Sequence, residues 1–98
     1  MNELEDRALK LLKLDLGISH NKRDELLNAE IKASERMLYD RGISLDLSVL
    51  ADMLLLVMHS AWLHERRDKP ELSMPRSLAL MIRNRQARDS FKGGSCPN

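Results

Sequence analysis

Apolar positions recur along this chain at the spacing of α-helices, and no stretch shows the strict alternation expected of a half-buried strand. In the first segment Leu4, Ala8 and Leu12 form one stripe, and charged side chains lie mostly on the other side. This pattern predicts a helix from about Glu3 to Leu16. Asn2 precedes the stripe and is a candidate N-cap residue.

A second helix is predicted to begin near Asn21 and to have Arg41 in its last turn. Each of the first two helices is followed by the tripeptide Gly-Ile-Ser, which begins at Gly17 and again at Gly42. Glycine adopts the left-handed conformation that commonly ends a helix, so both glycines are candidates for the C′ position. Short connections of this kind favour antiparallel or steeply crossed neighbouring helices.

The densest apolar segment is DLSVLADMLLLVMHSAWLHERR, from Asp46 to Arg67. It predicts a long central third helix that is apolar on more than one face, in which Leu50, Leu54, Met58 and Trp62 hold the core. A helix that is apolar nearly all round is buried on several sides or covered by a partner molecule. The charges at both ends of the segment exclude a membrane span, which needs roughly 20 mostly apolar residues.

Proline residues punctuate the last third of the chain. Pro70 disfavours helical geometry at the residue before it, so the third helix is expected to end around Asp68. Pro75 suits the first position of a fourth helix, which is predicted to run to about Arg88. The fold class is therefore all-α, a compact bundle of about four helices. Residues 1–89 form one helical domain, and residues 90–98, which contain the lone Cys96, form a disordered tail.

Composition adds one informative feature, which is the distribution of charge. Residues 1–59 carry eight Lys or Arg against eleven Asp or Glu, a balance of −3, whereas residues 60–98 carry eight against four, a balance of +4. The acidic front of one copy could meet the basic back of the next. Alternatively, the charges are solvated at opposite ends of a monomer.

Candidate catalytic and metal-binding residues are weak. His59 and His64 are five residues apart, which separates their rings by about 140° on a helix and favours positions on the helix surface or the core edge over a shared metal. Asp52 within the apolar run is more typical of a polar stripe, or of a carboxylate that meets an Arg across an interface, than of an acid–base catalyst. No catalytic set of residues stands out, so neither an enzyme, a metal nor a cofactor is expected.

The C-terminal third is rich in arginine, which admits two interpretations. The arginines could contact nucleic-acid phosphates. A small helical DNA-binding regulator is therefore the alternative function. Acidic residues among them and the lack of interleaved aromatic residues favour arginines that face protein or solvent. Trp62 is either a core residue or an interface anchor, because Trp and Arg are favoured at interfaces. The candidate interface residues are Trp62, Arg66, Arg67, Arg76 and Arg83.

Four segments, taken in order, resemble the small head–tail connector (adaptor) proteins of tailed bacteriophages and prophages. They are LKLLKLDLGI at 9–18, DELLNAEIKASERML at 24–38, DMLLLVMHSAWLHERR at 52–67 and MPRSLALMIRNR at 74–85. The likeness covers about residues 4–88. The chain departs from the family in having fewer aromatic residues in the central helix, where Met58 and His59 stand.

The resemblance implies a structural, non-enzymatic subunit. Such proteins assemble as a ring, generally of twelve copies, beneath the portal protein at the capsid vertex. They extend the DNA channel, through which DNA passes without sequence recognition, and they offer neck and tail completion proteins a docking surface. The implied location is the virion neck, after assembly in the cytoplasm of the bacterial host and without a membrane. In such a ring Arg66, Arg67 and Arg76 would pair with acidic groups of a neighbour.

Overall fold

The computed structural model describes the backbone of residues 3–95 and the side chains of residues 3–89. Within this part the chain forms four α-helices and no strand. They are Glu3–Leu16 (α1), Asp24–Asp40 (α2), Leu50–Arg66 (α3) and Arg76–Ser95 (α4). The all-α fold class predicted from the sequence is confirmed.

Successive helices run in opposite directions. Lys13 pairs with Asp24 at 2.9 Å and Lys32 approaches Glu5 at 3.7 Å, so positions that ascend along α1 meet positions that descend along α2. The contacts between α2 and α3, and those between α3 and α4, follow the same opposite order. The result is an up-down-up-down arrangement, as expected for helices joined by short connections.

Two apolar clusters share α3. The first joins α1, α2 and α3 around Ala8, Leu12, Leu27 and Leu56. The second joins the end of α2 with α3 and α4, and Leu78 is fully buried in it. Every other helix packs against α3, which confirms its central place, and the backbone of α4 comes close to α3 but to neither α1 nor α2. At 17 residues α3 is longer than the average helix, as predicted, although α2 has the same length and α4, with 20 residues, is longer.

The third helix begins at Leu50, four residues after the predicted start at Asp46. The Asp46 carboxylate accepts hydrogen bonds from the Ser48 backbone N–H at 3.0 Å and the Ser48 hydroxyl at 2.5 Å. These bonds place the pKa of Asp46 below its ordinary value. An aspartate that bonds to its own following backbone favours a turn over a helix, and this explains the late start.

The core positions of α3 differ in part from the prediction. Trp62 is buried and Met58 is half-buried, but Leu50 is 62% exposed and Leu54 is 42% exposed. The buried positions of the helix are Asp52, Met53, Leu55, Leu56, Val57, His59, Ser60, Ala61 and Trp62. The sequence of a helix that is apolar on several faces does not reveal which face lacks a neighbour. The predicted core positions therefore included two leucines, Leu50 and Leu54, on the face that no other helix covers.

Both glycines predicted to end helices have positive φ angles. Gly17 has φ +73° and Gly42 has φ +87°. After Gly17 the Ile18 N–H donates to the Lys13 carbonyl at 2.8 Å, and after Gly42 the Ile43 N–H donates to the Leu38 carbonyl at 3.0 Å. Both junctions therefore have the backbone geometry of a Schellman motif.

The other helix boundaries shift by a few residues. The second helix begins at Asp24 because the Asn21 side chain accepts a hydrogen bond from Lys13 at 2.7 Å and the residues around it form a turn. Pro75 lies one residue before α4, where its carbonyl accepts the Ala79 N–H at 2.9 Å. The fourth helix continues to Ser95, past the predicted end at Arg88.

The sequence after Arg88 contains no proline before Pro97, so no residue there prevents the helix from continuing, although its two glycines lower the helix propensity. The candidate N-cap Asn2 and the lone Cys96 lie outside the described residues.

Candidate interaction surface

The fourth helix is held on α3 by a buried ion pair. The Arg85 guanidinium donates to the Asp52 carboxylate, and these side chains are only 12% and 5% exposed. Arg85 also donates to the Asp89 carboxylate at 3.0 Å and to the Ser44 carbonyl at 2.8 Å, and the Asp46 N–H donates to Asp52 at 2.7 Å. Asp52 thus meets an arginine as expected, but within its own chain. Because all these groups are partnered, the cluster fixes α4 against α3.

Both candidate histidines of α3 are used inside the bundle. His59 is fully buried and its Nδ1 lies 2.8 Å from the Ser34 hydroxyl, so its expected place at the helix surface or core edge is corrected to the core. Burial lowers the pKa of His59 to about 4, and Arg41 acts in the same direction. His64 Nδ1 lies 2.7 Å from the Glu30 carboxylate. Among the described residues no three His, Cys, Asp or Glu side chains form a group that could hold a metal ion.

Trp62 and Arg66, two candidate interface residues, lie together. Trp62 is 8% exposed in the second apolar cluster, and the Arg66 guanidinium lies 5.3 Å from its ring centre. Arg66 also approaches the Pro70 carbonyl at 3.4 Å. The Trp62 ring is therefore covered by its own chain, and of these two candidates Arg66 is the one presented to solvent.

The other three candidate arginines are separate from Trp62. Arg67 lies 3.9 Å from the Glu30 carboxylate and remains 56% exposed. Arg76 and Arg83 are exposed on the outer side of α4, seven residues apart, and neither forms an ion pair within the part of the chain described. Of the five candidate interface residues, Arg76 and Arg83 are therefore the two that share one exposed face of α4.

A strip of α3 surface has no helix packed over it. Leu50, Ala51 and Leu54 are exposed there and Met58 is half-buried. The strip is flanked by α1 on one side and α4 on the other, and these two helices do not contact each other. We call it the α3 valley. It presents the largest uncovered leucine side chains of the central helix.

A second surface feature was missed from the sequence. A shallow groove of about 500 Å³, here the α2 groove, runs along the C-terminal half of α2 and the segment after it. Its lining residues are Lys32, Glu35, Arg36, Tyr39, Ile43, Ser44 and Leu45. Tyr39 is 61% exposed. The sequence signal was the spacing of Lys32, Glu35, Arg36 and Tyr39, which places all four on one face of a helix.

Within residues 3–95 no helix combines the length and the apolar content needed to cross a bilayer. Comparison of the chain with models of protein families, with characterised proteins and with solved structures found no significant match.

Proposed function

We propose that this chain is a structural, non-enzymatic subunit of a phage head–tail connector ring, which docks beneath the portal protein, extends the DNA channel and bridges to neck and tail proteins. The proposal starts from the resemblance of four ordered segments to that family. It is supported by the up-down-up-down helical fold, in which three helices pack on a central α3.

The observation that carries the proposal is the α3 valley. Leu50 and Leu54 are 62% and 42% exposed in the most apolar helix of the chain. Contiguous apolar surface on a soluble protein marks a site of interaction. In a ring, the valley would be covered by the neighbouring copy. This arrangement explains why the chain keeps leucine where its own helices provide no cover.

Charge distribution supports a repeated contact between unlike surfaces. A heterologous contact generates a ring when the rotation between copies closes. Acidic residues dominate α2 and basic residues dominate α4, and these two helices do not pack against each other within the chain. Each copy therefore presents surfaces of opposite charge that suit a head-to-tail neighbour.

The test is the mass of the assembly, with and without a portal protein. The chain should be mixed with the portal protein encoded in the same genome and analysed by native mass spectrometry and multi-angle light scattering. The proposal expects a complex that carries a ring of this chain, about twelve copies by the family resemblance, on each portal. A portal that keeps its own mass in the presence of excess chain would contradict it.

A DNA-binding regulator remains the second candidate, because Arg76 and Arg83 are exposed on one face of α4 without an ion-pair partner in the described part. The nine residues of 67–75 that precede this helix are more than the short turn of a helix-turn-helix. Titration with duplex DNA at about 50 and about 200 mM salt separates the two functions, since tight binding that falls steeply with salt indicates phosphate contacts.

A further inference from the structure

Two helices of this chain carry opposite net charge. Five acidic and two basic residues give α2 a balance of −3, and five basic residues and one acidic residue give α4 a balance of +4. Each helix packs on α3, but they do not pack on each other. Glu30 is buried, Arg85 is mostly buried, and both are paired within the chain, so the charge available to another molecule is that of the exposed side chains of the two helices.

The outer side of α4 carries a short stripe of alternating character, here the α4 stripe, made of Arg76, Leu80 and Arg83. At 100° per residue these three positions lie within an arc of about 60°. Leu80 is 47% exposed, and Arg76 and Arg83 are exposed as well. Neither arginine has an ion-pair partner among the described residues. The stripe thus consists of the Leu80 side chain between the guanidinium groups of Arg76 and Arg83, which form no ion pair within the described residues.

The α2 groove has the complementary chemistry. Its apolar side is formed by Tyr39, buried Ile43 and half-buried Leu45. The Arg36 guanidinium lies 5.9 Å from the Tyr39 ring centre, so a cation lies over the aromatic ring beside the groove. Glu35 lies on the same face of α2 as Tyr39 and places a half-buried carboxylate beside this apolar side.

Glu35 is the carboxylate among the residues that line the groove, and no cation of the described part pairs closely with it. Burial and then the nearby Glu5 raise its pKa, whereas Lys32 acts in the opposite direction. Lys32 itself lies 3.7 Å from Glu5, and Arg36 lies 3.3 Å from Asp40. Both cations of the groove are therefore already directed at other carboxylates, and Glu35 has no ion pair within 4 Å in the described part of the chain.

We infer that the α4 stripe of one copy docks into the α2 groove of the next copy, with Leu80 against Tyr39 and the Arg83 guanidinium paired with the Glu35 carboxylate. An arginine arriving from a neighbour supplies the cation that Glu35 lacks. The contact joins different surfaces of the two copies, so it repeats from copy to copy and can close into a ring. The inference deepens the proposed function and rests on it for the biological role of the contact.

Charge reversal with rescue tests the pairing. Arg83→Glu places two carboxylates together and Glu35→Arg places two guanidinium groups together. Each single variant should weaken self-association, measured by sedimentation velocity at low salt, by about tenfold or more, because like charges in an interface repel. The double variant Arg83→Glu/Glu35→Arg restores an opposite pair and should regain most of the association.

Lys10→Glu is the matched control, because it makes the same charge change at an exposed site on α1. It should associate as the unmodified chain does. Equal loss in Lys10→Glu and Arg83→Glu would show that net charge alone controls association, and this result would overturn the specific contact.

Disulfide trapping tests the same contact without a portal protein. In a Cys96→Ser background, the double variant Tyr39→Cys/Leu80→Cys should form a ladder of dimers, trimers and higher species on mild oxidation. A mixture of the two single-cysteine variants should stop at the dimer, because each copy then supplies one side only. Absence of the ladder at concentrations where the chain associates would overturn the inference.

The two proposals fail separately. If the chain assembles on the portal protein but neither charge reversal nor trapping has an effect, the connector role stands and the contact is wrong. If the ladder and the charge rescue appear but the chain never binds the portal protein, the contact stands and the connector role is wrong. If trapping gives only monomers and sedimentation shows no association, the contact is wrong.

Discussion

Single buried polar residues determine how the helices of this bundle are placed. Asp52 and Arg85 sit between α3 and α4, and their remaining hydrogen bonds go to Asp89, the Ser44 carbonyl and the Asp46 N–H. A buried ion pair adds little net stability when all its groups are satisfied, but loss of one partner leaves an uncompensated buried charge. The pair therefore matters most for the position of α4, which has no other helix to pack against.

Asp52→Ala should destabilise the chain by about 3 kcal/mol, because the buried Arg85 guanidinium then keeps Asp89 but loses Asp52, and the Asp46 N–H loses its acceptor. Urea unfolding followed by circular dichroism measures the loss. Arg88→Ala is the control, since Arg88 is on the same helix as Arg85, is 61% exposed and approaches Asp89 only at 3.6 Å. This control should change stability by less than about 0.5 kcal/mol. Similar losses in both variants would argue against a special role for the buried pair.

His59 predicts a specific dependence of stability on pH. Its pKa falls from 6.5 to about 4 in the folded chain because burial disfavours the charged ring. Between about pH 6.5 and about pH 4, the unfolded chain therefore binds a proton at His59 that the folded chain does not bind. The free energy of unfolding consequently falls as the pH falls through this range. At about 1.4 kcal/mol per unit of pKa, the loss amounts to roughly 3 kcal/mol.

The comparison variant for this effect is His59→Gln, whose amide can still bond to the Ser34 hydroxyl. Carboxylates also contribute to acid destabilisation, so the informative quantity is the difference between the two proteins. The free energy of unfolding should fall less in His59→Gln than in the unmodified chain between pH 6.5 and 4. Parallel curves would mean that His59 has an ordinary pKa in the folded state.

Trp62→Ala tests whether the tryptophan belongs to the core. Trp62 is 8% exposed and touches His59 edge to face, with ring centres 5.3 Å apart. Removal of a buried aromatic side chain costs about 3–5 kcal/mol, so the variant should unfold at a much lower urea concentration as a monomer. Unchanged monomer stability together with lost assembly would instead make Trp62 an interface anchor.

At the scale of the helices, the glycine junctions set the lengths of α1 and α2. Gly42→Ala should destabilise the chain by about 1 kcal/mol, because alanine pays a conformational penalty at φ +87°. No neighbouring atom lies within 4 Å of the added Cβ, so a steric clash does not contribute. Gly42→Asn should lose less, since asparagine tolerates the left-handed conformation. Thermal unfolding of the two variants ranks them, and an alanine variant as stable as the parent would contradict this account.

Helix boundaries were predictable where the ending is local chemistry. The bounds of α1 and the glycine ends of α1 and α2 follow from residues that act on their own backbone. The start of α3 was not predictable to the same degree, because Asp46 could equally begin a helix or form a turn. Its turn is favoured by the Ser48 bonds and by Asp52, which accepts the Asp46 N–H. Hydrogen bonds to residues two and six positions along the chain thus decided an ambiguity that the apolar pattern left open.

The candidate surface was predictable only in part. The arginine-rich fourth helix was visible in the sequence, and Arg76 and Arg83 do lie on one exposed face. The burial of Trp62 was predicted, but the exposure of Leu50 and Leu54 was not, because these leucines lie on a helix that is apolar on several sides. Which side is covered depends on where α4 packs, and that depends on the distant pair of Asp52 and Arg85.

At the scale of the whole molecule, the bundle is flat and asymmetric. It measures 51 × 33 × 18 Å, with a radius of gyration of 14.2 Å, against about 13 Å expected for a compact domain of this length. Three helices surround one cluster, whereas α3 is the one helix whose backbone α4 approaches closely, and carbonyls of the segment after α2 accept hydrogen bonds from Arg85 and Gln86. This asymmetry produces the open α3 valley on one side of α4 and the exposed α4 stripe on its outer side.

The valley provides the last prediction, since it separates folding from assembly. Leu50→Lys/Leu54→Lys places two charges where the side chains are already 62% and 42% exposed, so the free energy of unfolding of the monomer should change by less than about 1 kcal/mol. Binding to the portal protein and assembly should be lost, because a neighbour would have to bury two unpaired lysines. Leu14→Lys is the matched control, at a leucine that is 77% exposed on α1 outside the valley. If the valley variant assembles as well as this control, the neighbour does not cover the valley. If its monomer unfolds far more easily, Leu50 and Leu54 support the core of the single chain, and their exposure no longer argues for a ring.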